Sequence, residues 1–155
     1  MILKDTTKYI ETRKVLFEKT QPKIFVDFRD ERWKNTNISS VISKIEGLND
    51  LIRHGHLFGE LGDSHEELIN LHNASHIITD LKLSKCGNMI FGDFKFLNTP
   101  QGNMAKELYN NGLVRLSMRG TGFVHPSNSM QSLLHMGEVW DSIITWDFII
   151  KNNNI

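Results

Sequence analysis

The stretch Asn73-Ala74-Ser75-His76-Ile77-Ile78-Thr79-Asp80-Leu81-Lys82-Leu83, followed by Cys86-Gly87-Asn88 and by Met89-Ile90-Phe91-Gly92-Asp93-Phe94-Lys95-Phe96-Leu97, decides the fold. Its first part partly alternates apolar and polar residues, as a half-buried strand does. The glycine-centred triplet is a turn signal, and the last part alternates again, so the two strands pair as an antiparallel hairpin. Upstream, a β-branched and aromatic run over residues 23–28 follows Pro22 and reads as the opening strand. Between these strands Val41, Ile42, Ile45, Leu48, Leu51 and Ile52 recur at helical spacing, with Ser39 or Ser40 as N-cap and Gly55 beyond the end.

Downstream, Thr99-Pro100-Gln101-Gly102 has the form of a helix entry with proline in the first turn. Met104, Ala105, Leu108 and Tyr109 continue the helix to Asn111-Gly112. Residues 113–118 read as a strand running into the turn Arg119-Gly120-Thr121-Gly122, and residues 140–150 as a final strand. Strands interrupted by two helices make an α+β domain around a closed or nearly closed antiparallel sheet. We divide the chain into an N-terminal arm (residues 1–22), one domain (23–150) and a flexible tail (151–155).

The 155 residues suffice for one core, and 18 basic against 18 acidic side chains leave no net field to hold a phosphate backbone. Nucleic acid is therefore not expected as a partner. The single cysteine, Cys86, allows no internal disulfide, and no cysteine–histidine spacing fits zinc. No apolar run reaches the roughly 20 residues that cross a bilayer, and residues 1–5 lack the pattern of a signal peptide. Membrane, metal and cofactor are all absent from the expected function; a small-molecule-binding barrel lacks any cofactor motif. Seven histidines include five between His54 and His76, but none pair at H-x-x-x-H spacing with a neighbouring glutamate, so they read as solvated or core-edge groups.

One short sequence carries nucleophile chemistry. In Leu116-Ser117-Met118-Arg119-Gly120 a hydroxyl ends a strand, followed by an arginine and by glycines that can turn N–H groups toward a developing oxyanion. Alone, S-x-R-G is a weak signal. It occurs, however, in order with Gly59-Glu60-Leu61, Asn73-Ala74-Ser75-His76-Ile77-Ile78, Leu97-Asn98-Thr99-Pro100-Gln101-Gly102-Asn103-Met104-Ala105-Lys106 and Thr145-Trp146-Asp147-Phe148-Ile149. Over roughly residues 24–150 this series resembles the prohead core proteases of tailed bacteriophages, with their G-E-L-x-H-P, N-V-S-H-x-I, L-x-T-P-x-G-x-x-A-K, G-x-S-S-R-G and T-F-D-x-V motifs.

The resemblance implies a herpesvirus-assemblin-like β-barrel with two or more flanking helices, and a role in head assembly. It places the work in the bacterial host cytoplasm, in the prohead or virion head, among capsid and scaffold proteins and other copies of the chain. It makes Ser117 the match to the nucleophile, with Arg119 and Gly120 on the oxyanion side and Asp147 as the third member orienting the base. The second serine of the motif is Met118 here. The departure lies at the base, where the family has His-Pro and an ungapped alignment puts Asp63-Ser64. A carboxylate with an ordinary pKa of about 4 takes a serine proton less readily than an imidazole near about 6.5. His65 stands two residues on, within reach of a shifted loop. The sequence also stops directly after the last motif, without the tail expected of an immature protease. We therefore read a catalytically degenerate head component, with an active serine endopeptidase using Ser117, His65 and Asp147 as the alternative. His76 reads as a hydrogen-bonded structural histidine, and Glu60 as a group that caps or pairs within its loop.

Overall fold

The computed structural model describes residues 22–124 and 138–151. The proposed arm, but for Pro22, and the tail beyond Lys151 lie outside them.

Strand β1 (Lys23–Asp27) opens the domain, and a 3-10 turn (Glu31–Trp33) leads to helix α1 (Ile38–Ile45). The N-cap of α1 is Asn37 rather than either serine: its side chain accepts the Ser40 N–H at 3.2 Å. The Ser40 hydroxyl instead donates to the Asn37 carbonyl at 2.6 Å and accepts the Trp140 N–H at 3.0 Å, tying the helix to the last strand. The long helix expected here is broken. After Ile45 the chain tightens into a 3-10 turn at Glu46–Leu48, centred on Gly47, before the short α2 (Asn49–Arg53). Gly55, at φ +71°, ends the segment as expected.

The hairpin forms as its sequence dictates, with β3 (Ala74–Leu83) and β4 (Met89–Phe96) antiparallel around a turn whose Gly87 has φ +74°. With β1 on the far side of β4 and the short β2 (Phe58–Glu60) beside β3, they make a four-stranded sheet in the order β1-β4-β3-β2. Helix α3 (Pro100–Asn110) starts as read: Thr99 Oγ1 accepts the Gly102 N–H at 3.0 Å, with proline in the first turn.

Strands β5 (Val114–Val124) and β6 (Glu138–Ile150) form a separate two-stranded ribbon. Here the structure corrects the sequence. Residues 119–122 are not a turn but the continuation of β5, with irregular register at Arg119/Gly120 and Thr121/Gly122. A Cβ on Gly120 would come within 2.3 Å of the Ser142 carbonyl oxygen, so close strand approach, not turning, requires the glycine.

The barrel is not closed either. On one side the sheets join through a parallel bridge between Leu61 and Phe148, the Gly62 N–H on the Phe148 carbonyl, and the Thr145 hydroxyl on the Phe58 carbonyl at 2.7 Å. On the other side β1 and β5 make no ladder and flank a cleft of about 510 Å³. The result is a curled half-barrel. Its core includes Phe25, Val41, Ile78, Ile90, Phe94, Trp146 and Phe148, with Phe94 and Phe148 ring-to-ring at 5.2 Å.

Candidate functional site

In the β5–β6 ribbon Ser117 stands directly opposite Asp147, and Met118 opposite Trp146. Side chains alternate across a strand, so the ribbon has two different faces. Leu116, Met118, Trp146 and Phe148 turn to the core. Ser117, Arg119, Thr145 and Asp147 turn the other way, Thr145 toward β2 and the other three toward the cavity that Asp63, Ser64 and His65 also line. The face explains Met118: where the family motif has its second serine, this position packs against apolar side chains.

Ser117, Asp63, His65, Arg119, Gly120 and Asp147 all line one cavity of about 310 Å³. The fold thus brings together every residue singled out for the site. Their bonding differs from a hydrolytic triad. Ser117 is half-buried and makes no hydrogen bond to His65. The His65 side chain is 88% exposed, and the carboxylate beside it is Asp63, with Nε2 and Oδ2 3.8 Å apart. Asp147 is engaged elsewhere: its Oδ1 accepts Arg119 Nη2 at 2.8 Å and the Glu60 N–H at 2.9 Å.

Arg119 is the centre of the buried chemistry. Its Nη2 donates to Asp147 Oδ1 and to Glu60 Oε2, at 2.8 and 2.9 Å. All three side chains are at least 95% buried, their exposures being 3–5%. Nη1 crosses to the loop and donates to Ser64 Oγ at 3.1 Å and to the Glu66 and Leu68 carbonyls at 3.1 and 3.4 Å. Burial opposes the charge on Arg119, but the bonds from Asp147 and Glu60 outweigh it and hold the guanidinium firmly protonated. Burial also pushes Glu60 upward, yet the Asn70 N–H, Arg119 and the Asn73 amide hold it below the usual carboxylate range. At Asp147 burial wins over Arg119 and the Glu60 N–H, and the carboxyl is raised. The reading of Glu60 as a capping or pairing group within its loop covers its bonds from Asn70 and Asn73, but not its pairing with Arg119. The available signal was an acid set between apolar neighbours in Phe58-Gly59-Glu60-Leu61.

His76 lies behind this face, not in the cavity. It is fully buried; Nε2 meets the Trp146 carbonyl at 2.8 Å and Nδ1 the Ser75 hydroxyl at 2.8 Å. That pair of partners suits a neutral ring donating from Nε2 and accepting at Nδ1. Burial lowers its pKa to about 4. Cys86 sits exposed in the β3–β4 turn, where its thiol donates to Asn88 Oδ1 at 2.9 Å. Among the described residues no three histidine, cysteine or acidic side chains converge as metal ligands, and no helix is long and apolar enough to cross a membrane.

No protein-family model and no curated protein matches the chain. Among solved structures the molecule is similar to the capsid assembly protease of bacteriophage T4. The superposition has a TM-score of 0.65 and covers 83% of this chain and 79% of that one, at 14% sequence identity. The fold is similar to that of this capsid assembly protease. At such low identity the likeness speaks for architecture alone.

Proposed function

We propose that this chain is a bacteriophage head assembly protein, a structural or auxiliary capsid component on the prohead-protease fold whose catalytic machinery has decayed. Its partners are capsid and scaffold proteins and other copies of itself, in the prohead or virion head within the bacterial cytoplasm. The fold likeness supports the head-assembly part. The observation that carries the loss of catalysis is the commitment of Arg119 and Asp147 to one buried ion cluster, while Ser117 bonds no base among the described residues. A base must lie within hydrogen-bond reach of the proton it takes, with some looseness when no substrate is bound.

One observation favours the alternative, an active maturation endopeptidase: Ser117 and His65 line the same cavity. In that reading the loop closes on substrate, His65 accepts the Ser117 proton and Ser117 Oγ attacks the scissile carbonyl. His65 then returns the proton to the leaving amine, and water releases the acyl group. Asp63, already beside His65, is better placed than Asp147 to support the imidazolium.

Intact-mass measurement of capsid and scaffold partners incubated with the protein separates the two. We expect unprocessed partners with the wild type, Ser117→Ala and His65→Ala alike. Cleavage by the wild type that both substitutions abolish would establish the protease instead.

A further inference from the structure

The arginine of the S-x-R-G segment has both ends occupied. One nitrogen is shared by two buried carboxylates from β2 and β6, and the other by three oxygens of the loop. The loop's ends meet the same structure. At its start the Gly62 N–H bonds the Phe148 carbonyl at 2.8 Å; at its close the Asn70 N–H bonds Glu60 Oε2 at 3.0 Å. Asn73 Nδ2 completes the set, donating to Glu60 Oε1 at 3.2 Å and to the Leu61 carbonyl at 2.8 Å. Between Gly62 and Asn70 the loop has no strand or helix of its own.

We propose that Glu60, Arg119 and Asp147 form a buried charge latch that holds the 62–70 loop over Ser117, and that Glu60 and Arg119 are positioning residues for the cavity. The carboxylates fix the guanidinium plane from below, and the guanidinium fixes the loop carbonyls from above. Asp63 and His65, on the early part of that loop, take their places beside Ser117 through this bonding. The planar fork of arginine is what spans both sets of acceptors; a lysine ammonium is a single point and reaches only one. Two buried carboxylates around one guanidinium are an expensive arrangement unless further donors reach them; Asn70 and Asn73, at the loop's end, donate to both oxygens of Glu60, and the Glu60 N–H donates to Asp147 Oδ1. The latch deepens the site described above, and it operates whether or not Ser117 is catalytic.

Amide hydrogen exchange on the full chain tests it, reading the Gly62 and Asn70 amides against those of Ser84 and Leu97, whose N–H groups bond the Met89 and Ser75 carbonyls across the hairpin. Arg119→Lys retains the charge beside Glu60 and Asp147 and leaves the acceptors of both loop amides in place. We expect exchange at Gly62 and Asn70 to quicken at least ~10-fold, as loss of a few hydrogen bonds allows local opening, with the hairpin amides changed less than ~2-fold. Glu60→Gln sets an amide NH2 against the Asn73 NH2 and should free the same loop. Unchanged loop exchange in a folded Arg119→Lys protein would overturn the latch. Should that variant unfold as a whole, Ser64→Ala decides by the same amides, since it leaves the carboxylate arm whole and cuts one donation from Arg119 together with the Glu66 N–H bond inside the loop; about 3-fold faster exchange at both Gly62 and Asn70 supports the latch and no change refutes it. Because the readout needs neither cleavage nor capsid partners, failure of the head-assembly reading would leave this result standing, and the reverse.

Discussion

His76 shows how one buried side chain sets a pH response. Its pKa is about 4 in the fold against an ordinary value near 6.5. Between these values the unfolded chain binds the proton and the folded chain does not, so stability rises with pH and is lost as pH falls from about 6.5 toward 4. The full window corresponds to about 3 kcal/mol. Asp147, being raised, acts with the opposite sign above the ordinary aspartate range, and Glu60 with the same sign below the glutamate range. Urea unfolding at pH 7.5 and 5 reads the His76 share, a loss of about 2 kcal/mol, against which the raised Asp147 acts. His76→Leu should flatten that slope while lowering stability at pH 7.5, because the Trp146 carbonyl and Ser75 hydroxyl lose their partner. The same ring makes Gly59 irreplaceable: a Cβ there would lie 2.1 Å from His76 Nε2 and 2.3 Å from the Trp146 carbonyl oxygen. Gly59→Ala should cost roughly 3 kcal/mol or more in chemical denaturation. Sequence pattern shows that His76 belongs to a strand, but its partner Trp146 lies 70 positions away, and no local signal announces such a pairing.

Among the elements, those governed by neighbours in sequence were legible and those governed by distant strands were not. Thr99 and Pro100 announce α3 because capping is a local hydrogen bond. Thr99→Ala should cost about 1 kcal/mol, because the Gly102 N–H loses its side-chain acceptor. Gly102→Ala should cost several times more, since its Cβ would stand 1.9 Å from the Leu97 carbonyl oxygen. Thermal melts of the two variants check that order. The β3–β4 hairpin was equally plain from its alternation and its glycine turn. Gly120 and Gly122 misled, because a glycine admits either a turn or the close approach of another chain. Here the Ser142 and Val139 carbonyls press within 2.3 and 2.7 Å of the two missing side chains. The break in the first helix likewise hangs on how Leu48 reaches the core through a 3-10 turn, which helical spacing alone does not express.

At the scale of the whole molecule, the order of motifs pointed to the architecture, while closure of the barrel and the path of the 62–70 loop were beyond it. Closure depends on whether β1 and β5 meet, and the loop on a charge cluster assembled from residues 59 and 28 positions apart. That cluster holds β2, β6 and the loop together. Arg119→Met should destabilise the fold by about 3–5 kcal/mol, because it strands two carboxylates out of water, and denaturant titration would show it. Ser117→Ala, altering a half-buried hydroxyl with no hydrogen-bond partner among the described residues, should change stability by less than about 0.5 kcal/mol. A molecule whose stability depends far more on Arg119 than on its serine fits a protein retained for its shape. The central claim is that this shape belongs in a phage head, and quantitative mass spectrometry of purified, assembled heads tests it most directly. The account predicts intact protein, carrying an unmodified Ser117, at a fixed stoichiometric ratio to the major capsid subunit. Its absence from heads, with capsid subunits cleaved only when Ser117 is present, would contradict the account and make the chain a working protease.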